Sequence, residues 1–111
     1  MKSAELCPRF ESGMELLSKR WTGLIIFRLL EGSQRFSELE SSLPISGRLL
    51  SERLKELEAA GIATRTVYPD TPVRIEYELT EKGHALRPVI TSIREWAEKW
   101  VTLDESAPTK H

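Results

Sequence analysis

Cysteine, long hydrophobic runs and an excess of charge of one sign are all scarce in this sequence. Among its 111 residues the only cysteine is Cys7, which excludes an internal disulfide framework and fits a reducing cytoplasm. The apolar run at residues 24–27 stops at Arg28, and the N-terminus has no signal-peptide core, so neither a transmembrane helix nor secretion is expected. We therefore predict a cytoplasmic protein with no membrane association.

Histidine, a common catalytic residue and metal ligand, is also scarce. His84 and His111 are the only histidines, and with a single cysteine they do not form a convincing metal-ligand cluster. The sequence has no phosphate-binding loop, no supported carboxylate pair and no cofactor motif. We therefore predict no enzyme activity, no cofactor and no metal site.

What the sequence does contain fits one small globular domain. Hydrophobic residues make up 40% of the chain and charged residues 30%, a mixture typical of folded soluble proteins. We predict a domain at residues 1–103 and a flexible C-terminal tail at residues 104–111, which is polar and contains Pro108. Because the net charge is −1, a nucleic-acid binder of this composition needs a local basic surface.

Two helices are predicted in the first third of the chain. The first starts at Cys7-Pro8, because proline is favoured at the first helical position, where its missing N–H is not needed. The second covers residues 21–31 and ends at Gly32. It is apolar on most sides, which predicts that it is the central buried helix.

Two further helices follow, separated by a very short connection. A short strand is expected at residues 35–36, after which Ser37 and Glu40 match a capping box that starts helix three. Helix three ends near residues 43–44, and Ser46 is the predicted N-cap of helix four. A short helix, a tight turn and a second helix are typical of a helix-turn-helix.

The hydrophobic pattern changes to a period of two after helix four. Apolar residues alternate with charged ones over residues 73–79, which predicts a strand with one buried face, paired with residues 62–68 across the turn at 69–72. Thr80 caps a last helical region, in which Pro88 predicts a kink or a new helix start. The predicted fold class is therefore α+β and mainly helical. It is a winged helix-turn-helix with a two- or three-stranded antiparallel wing sheet.

Helix four carries the arrangement that favours nucleic-acid binding. On a helical wheel Leu50, Leu54 and Leu57 fall together and are expected to face the core. The opposite face carries polar side chains at positions i, i+3, i+4 and i+7, namely Arg48, Ser51, Glu52 and Lys55. A helix that enters the DNA major groove needs one anchored face and, on the other, long hydrogen-bond donors near its N-terminal half.

These side chains also have an ordinary interpretation. Most amphipathic helices present a solvated polar face, and Glu52 either accepts from cytosine or pairs with Arg48 one turn away. The hairpin favours DNA, because Arg65 and Arg74 lie near its polar tip, where cations contact the DNA backbone or minor groove. The remaining predicted DNA contacts are serines at helix N-termini, Ser37 and Ser46.

Several segments together resemble the HxlR family of bacterial winged-helix regulators, which are relatives of MarR-type repressors. The matching segments are Cys7-Pro8 and residues 21–25 (WTGLI), 35–39 (RFSEL), 46–57 (SGRLLSERLKEL) and 68–83, which contains PVRIEYELT. The resemblance covers roughly residues 5–101, nearly the whole domain. One departure is Lys19-Arg20-Trp21, where the family usually has Gly-Lys-Trp.

The resemblance implies a transcriptional regulator that binds duplex DNA as a homodimer, with a recognition helix at residues 46–60 and a wing at residues 65–75. Two-fold symmetry implies an inverted-repeat operator, and the expected function is repression. The family dimerises through its terminal helices, which here offer the candidates Phe10, Met14, Ile93, Trp96, Ala97 and Trp100. Trp96 and Trp100 are spaced like a ligand cage, but packing in a dimer core is the preferred interpretation.

Cys7 has two interpretations, an inert residue at the start of helix one or a sensor of oxidants and electrophiles. The positive end of the helix dipole and Arg9 favour the reactive thiolate, whereas Glu5 opposes it. Similar HxlR-type regulators use a cysteine before proline to sense quinones, aldehydes, diamide or hypochlorite, which favours the sensor. With no second cysteine, the products are a bridge between the Cys7 residues of two subunits, a mixed disulfide with a small thiol, or an alkylated thiol.

The sequence thus leaves three functional hypotheses. The leading one is a repressor that leaves its operator when Cys7 is oxidised or alkylated. The second is an HxlR-type regulator without thiol sensing. The third is a winged helix that binds another protein. Arg48 and Lys55 disfavour the third, because such modules present an acidic or apolar face on helix four.

Overall fold

A computed structural model describes residues 7–103, so residues 1–6 and the predicted tail at 104–111 lie outside the described residues. The elements are α1 (Pro8–Ser18), α2 (Thr22–Leu29), β1 (Gln34–Arg35), α3 (Phe36–Ser42), α4 (Gly47–Ala59), β2 (Ala63–Tyr68), β3 (Arg74–Leu79), α5 (Glu81–His84) and α6 (Arg87–Trp100). In this part of the chain, no helix combines the length and the apolarity needed to cross a bilayer.

The hydrophobic core forms chiefly around α2 and α4. The side chains with no exposed surface in these two helices are Ile25, Ile26, Leu50, Leu54 and Leu57. Both the central position of α2 and the inward leucine face of α4 are therefore confirmed. Because burial of each such side chain is worth about 1.5–3 kcal/mol, α4 cannot rotate without a large loss of stability.

The three strands form one antiparallel sheet in the order β1-β3-β2. β2 and β3 pair from Ala63 opposite Leu79 to Tyr68 opposite Arg74, and each strand begins one residue later than the sequence pattern predicted. Of the apolar positions predicted for the buried face, Tyr77 and Leu79 are buried, Ile75 is half-buried, and Val73, which precedes β3, is exposed. The hairpin tip at residues 69–73 is exposed, which is the position of a wing.

Helix α3 begins two residues earlier than predicted, at Phe36. The strand predicted at residues 35–36 ends at Arg35, and Phe36 is already helical. The N-cap is Arg35, whose backbone N–H donates to Glu38 Oε1 at 2.7 Å. The predicted capping box of Ser37 and Glu40 was therefore wrong. Pairing of β1 with β3 fixes where the chain leaves the sheet, and Glu38 is then the side chain at the spacing that reaches back to the N-cap.

The other predicted helix starts are confirmed. Ser46 Oγ accepts a hydrogen bond from the Leu49 N–H at 3.1 Å and caps α4. Thr80 Oγ1 accepts from the Gly83 N–H at 3.1 Å and caps α5. Pro88 lies in the first turn of α6, so it begins a new helix instead of kinking a continuous one.

Candidate nucleic-acid interface

The outward face of α4 presents its cations to solvent. The Arg48 side chain is 92% exposed, and its Nε lies 3.9 Å from Glu52 Oε2, a distance typical of a loose ion pair. Lys55 is exposed and forms no ion pair with residues 7–103, whereas Ser51 between them is half-buried. The structure therefore brings together four residues that the wheel predicted for one face, with both cations available to a ligand.

Both ends of α4 are held in place by side chains. The N-terminal cap is Ser46, and at the C-terminal end Lys82 Nζ of α5 donates to the Ala60 carbonyl oxygen at 2.7 Å. Gly61 follows with a φ of 76°, a left-handed conformation that glycine adopts without strain. Fixed ends and a buried leucine face mean that α4 presents its outer side chains on a rigid support.

One flank of α4 is tied to the connection between α1 and α2. Arg53 Nε donates to the Arg20 carbonyl oxygen at 2.9 Å, and Arg53 also pairs with Glu56 at 3.3 Å. Glu56 also forms an ion pair with Lys19, whose Nζ lies 3.3 Å from Glu56 Oε2. The sequence analysis noted Lys19-Arg20-Trp21 only as a departure from the family pattern and did not predict its contacts with α4.

The two wing arginines differ in their surroundings. Arg65 of β2 is exposed and forms no ion pair with the described residues. Arg74 donates through Nε to Asp70 Oδ2 at 3.0 Å, bonds to Glu76, and lies 4.1 Å above the Tyr68 ring centroid. Arg74 therefore joins the wing tip to β3, while Arg65 keeps its hydrogen-bond donors for an external partner.

The Arg74 network stabilises the charged forms of its members. Hydrogen bonds to Asp70, and then to Glu76, raise the pKa of Arg74 above its ordinary value. The pKa of Glu76 is lowered first by its hydrogen bond with Arg74 and next by Ser33, whose Oγ donates to Glu76 Oε1 at 3.0 Å. Because Ser33 directly precedes β1, this network also connects the wing to the start of the helix-turn-helix.

The serines predicted at helix starts have different positions. Ser46 is the N-cap of α4, and its hydroxyl is already engaged with the Leu49 N–H. Ser37 is exposed inside the first turn of α3, because the N-cap is Arg35, two positions earlier than predicted. Both side chains lie near helix N-termini, where backbone N–H groups favour anions.

Cys7 lies at the N-cap position of α1, directly before Pro8, and its thiol is free and exposed. Reagents in solvent therefore have access to it. In the part of the chain that the structure describes, no group of three or more His, Cys, Asp or Glu side chains is arranged to hold a metal ion.

The terminal helices leave their large apolar side chains uncovered. α1 has no buried residue, and the one buried residue of α6 is Ile90. Among the large side chains predicted for the dimer contact, the exposed fraction runs from 48% for Met14 to 64% for Trp100. The predicted dimer residues on this surface are Phe10, Met14, Ile93, Trp96, Trp100 and the half-buried Ala97. Apolar surface of this extent is typical of a protein-protein contact.

The profile of the HxlR-like helix-turn-helix family matches residues 16–105 of this sequence. The chain belongs to the HxlR family. HxlR-family proteins are DNA-binding helix-turn-helix transcription regulators, and the curated relatives carry such names. The HTH-type regulator YvaP of Bacillus subtilis, itself uncharacterised, is 60% identical over 102 residues, which are 91% of this chain and 94% of YvaP. YodB of the same organism is 49% identical over 96 residues, 86% of each chain.

Solved structures of a transcriptional regulator and of a redox regulator share the fold. Reduced YodB has a TM-score of 0.78 at 48% identity, over 87% of this chain and 96% of that one. The redox regulator HypR in its oxidised form has a TM-score of 0.81 at 36% identity, over 87% and 100%. The predicted winged helix-turn-helix and the family resemblance are therefore both confirmed. YodB has also been solved with quinone bound and after diamide treatment.

Proposed function

We propose that this HxlR-family regulator is a homodimeric repressor that binds an inverted-repeat operator and is released when Cys7 is oxidised or alkylated. One observation is the main support for this DNA-binding surface: the exposed cations Arg48 and Lys55 lie on α4 opposite a fully buried leucine face. A rigid helix with free donors toward its N-terminal half matches what major-groove readout requires.

The exposure of each side chain supports a distinct role in this interface. Arg48, near the N-terminal end of α4, is assigned to base edges. Lys55, about two helical turns behind it, is assigned to phosphate. Ser51 and Glu52 border the same face, and Glu52 holds Arg48 loosely until DNA replaces it. Of the wing cations, Arg65 is assigned to the DNA backbone, while Arg74 holds the wing together. The helix-start serines assigned to phosphates are Ser37 and Ser46.

The uncovered apolar surface of α1 and α6 supports the homodimer. Phe10 and Met14 on α1, and Trp96 and Trp100 on α6, are large side chains that a single chain leaves largely in water. A two-fold axis through this surface pairs each patch with itself, which is the commonest oligomer symmetry. Two copies of α4 then face two successive major grooves, so the operator is expected to be an inverted repeat.

The position of Cys7 supports a chemical switch. The exposed thiol begins the same helix that carries Phe10 and Met14, so a bulky adduct or a bond at Cys7 acts directly on the dimer surface. Diamide converts two thiols to a disulfide by accepting two electrons and two protons, and a quinone adds to one thiolate. The quinone-bound and diamide-treated structures of YodB, a relative at 45–46% identity, favour these two reagent classes.

Two experiments test the proposal. Selection from a pool of random duplexes with reduced protein is expected to yield an inverted repeat with half-sites about one helical turn apart or a multiple of it. Cys7→Ser and wild type are then compared on that duplex after diamide or quinone. We expect only the wild type to lose binding. Absence of any selected sequence at low salt contradicts the DNA-binding role, and equal loss in both proteins contradicts the role of Cys7.

A further inference from the structure

A groove of about 460 Å³ lies where the start of α2 meets the turn between α3 and α4. Its walls include Arg20, Trp21 and Arg28 on one side and Ser42 and Pro44 on the other. The lining contains two arginines and no acidic side chain. A concave surface with two cations and no counter-charge among its lining residues suits a polyanion.

Arg20 is held in a fixed position at the mouth of this groove. Its guanidinium lies 4.9 Å from the centroid of the Trp21 ring, and its carbonyl oxygen accepts the 2.9 Å hydrogen bond from Arg53 of α4. Trp21 has a φ of 79°, a left-handed conformation that a bulky residue adopts only when its surroundings impose it. Arg20 is exposed and forms no ion pair within residues 7–103, so its charge is available to a ligand.

Arg28 adds a second cation with hydrogen-bond donors to spare. Its Nη2 lies 3.5 Å from the Ser42 carbonyl oxygen, which is a long contact. Its Nε is buried and has no hydrogen-bond partner among the described residues. No carboxylate neutralises it within that part of the chain, so both arginines of the groove carry uncompensated charge.

The groove continues the proposed DNA interface. Pro44 is four residues before Arg48, and the N-terminal end of a recognition helix is the part that penetrates the major groove most deeply. Only Ile45 and the N-cap Ser46 separate Pro44 from the first residue of α4, so this groove lies beside the N-terminal end of that helix. The groove therefore lies within reach of a sugar-phosphate strand that borders the base pairs read by α4.

We propose that Arg20, supported by Trp21 and Arg28, clamps a phosphate of the operator backbone beside the recognition helix. This contact is separate from α4 and from the wing, and it rests on the proposed DNA-binding function. Its role is to set the orientation of α4 in the groove without reading a base, because phosphate contacts carry no sequence information.

The test compares Arg20→Gln with Arg9→Gln, which removes the same charge beside Ala59 and Ala60, at the opposite end of α4. Binding is measured by fluorescence anisotropy from about 50 to 200 mM salt, on the selected operator and on a random duplex of equal length. For Arg20→Gln we expect affinity for both duplexes to fall by at least about tenfold, and the salt slope to decrease by about two, because a homodimer loses one phosphate contact in each half-site. Arg20→Lys is expected to restore the slope, because it keeps the charge.

Phosphate-ethylation interference gives a second readout that folding defects do not reproduce. With the wild type we expect interference at phosphates flanking each half-site, and with Arg20→Gln that signal disappears at one symmetric pair only. The inference is overturned if Arg20→Gln and Arg9→Gln match in affinity and slope while the wild type binds its operator. If the wild type binds neither duplex, the proposed function fails as well, so the two failures are distinguishable.

Discussion

The helix-turn-helix and the terminal helices of this protein are built in opposite ways. α4 buries Leu50, Leu54 and Leu57 completely and exposes charged side chains. α1 buries no residue, and α6 exposes Trp96 and Trp100 by 60% and 64%. The first region is packed within the described residues, whereas the second has an apolar surface that residues 7–103 leave exposed.

This difference assigns different tasks to the two regions. A rigid, self-contained helix is suited to present donors at fixed positions, because none of its supporting contacts depend on the ligand. When a second copy covers an exposed apolar surface, the free energy of the system falls, because apolar area is removed from water. On the proposed function, α4 is supported by its own chain, and a dimer formed through α1 and α6 sets its spacing from the second copy of α4. Three variants test this contrast, beginning with the largest expected effect.

Leu54→Ala is expected to lower the free energy of unfolding by about 2–5 kcal/mol, because it opens a cavity under α4. Urea denaturation at one fixed protein concentration measures the change, since the stability of a dimer depends on concentration. Val67→Ala removes an aliphatic side chain that is 49% exposed in β2, and it serves as the control with an expected change below about 1 kcal/mol. Equal losses in the two variants contradict the self-contained α4.

Replacement of both Trp96 and Trp100 by alanine is expected to weaken dimerisation by at least about 30-fold, the effect of losing one interface hot spot of 2 kcal/mol. Sedimentation equilibrium measures the dissociation constant. Circular dichroism is expected to change little, since neither ring lies in the core. Glu95→Ala, an exposed change on the same helix, is the control. An unchanged dissociation constant in the double variant removes α6 from the interface.

The period of a helix explains what could be predicted from the sequence. Leu50, Leu54 and Leu57 recur at a spacing that allows one buried face, so the exposure of Arg48 and Lys55 followed without knowledge of any neighbour. The strand alternation predicted the buried side of β3 for the same reason. Both patterns are local, and they also carry the segments by which the family was identified.

The contacts that sequence reasoning missed join residues far apart in the chain. The Arg53 hydrogen bond to the Arg20 carbonyl spans 33 positions, and Ser33 reaches Glu76 across 43. The sequence predicted Arg74 as a DNA contact, and only the fold shows that its Nε and Nη1 donate to Asp70 and Glu76. Such pairs depend on how β1, β3 and the turn before α2 come together, and no periodicity records that arrangement.

The smallest expected effect concerns Glu76, whose contact with Arg74 and Ser33 is polar and lies on the wing. Because the folded-state pKa of Glu76 is lowered, its ionised form stabilises the protein above the unfolded value of about 4.3. That contribution is lost as the pH falls through the folded-state pKa. Glu76→Gln is therefore expected to be less stable than the wild type at neutral pH and to approach it in acid.

Thermal unfolding of both proteins from neutral pH down to about pH 3 measures this convergence. Glu78→Gln, an exposed change on the same strand, controls for the general effect of removing one negative charge. A stability difference that stays constant with pH means that Glu76 acts through the packing of its chain and not through its charge. The wing then resembles the terminal helices in relying on apolar contact. If the two stabilities instead converge in acid, charged groups hold the wing in place. The wing then differs from α1 and α6, whose exposed surfaces are apolar.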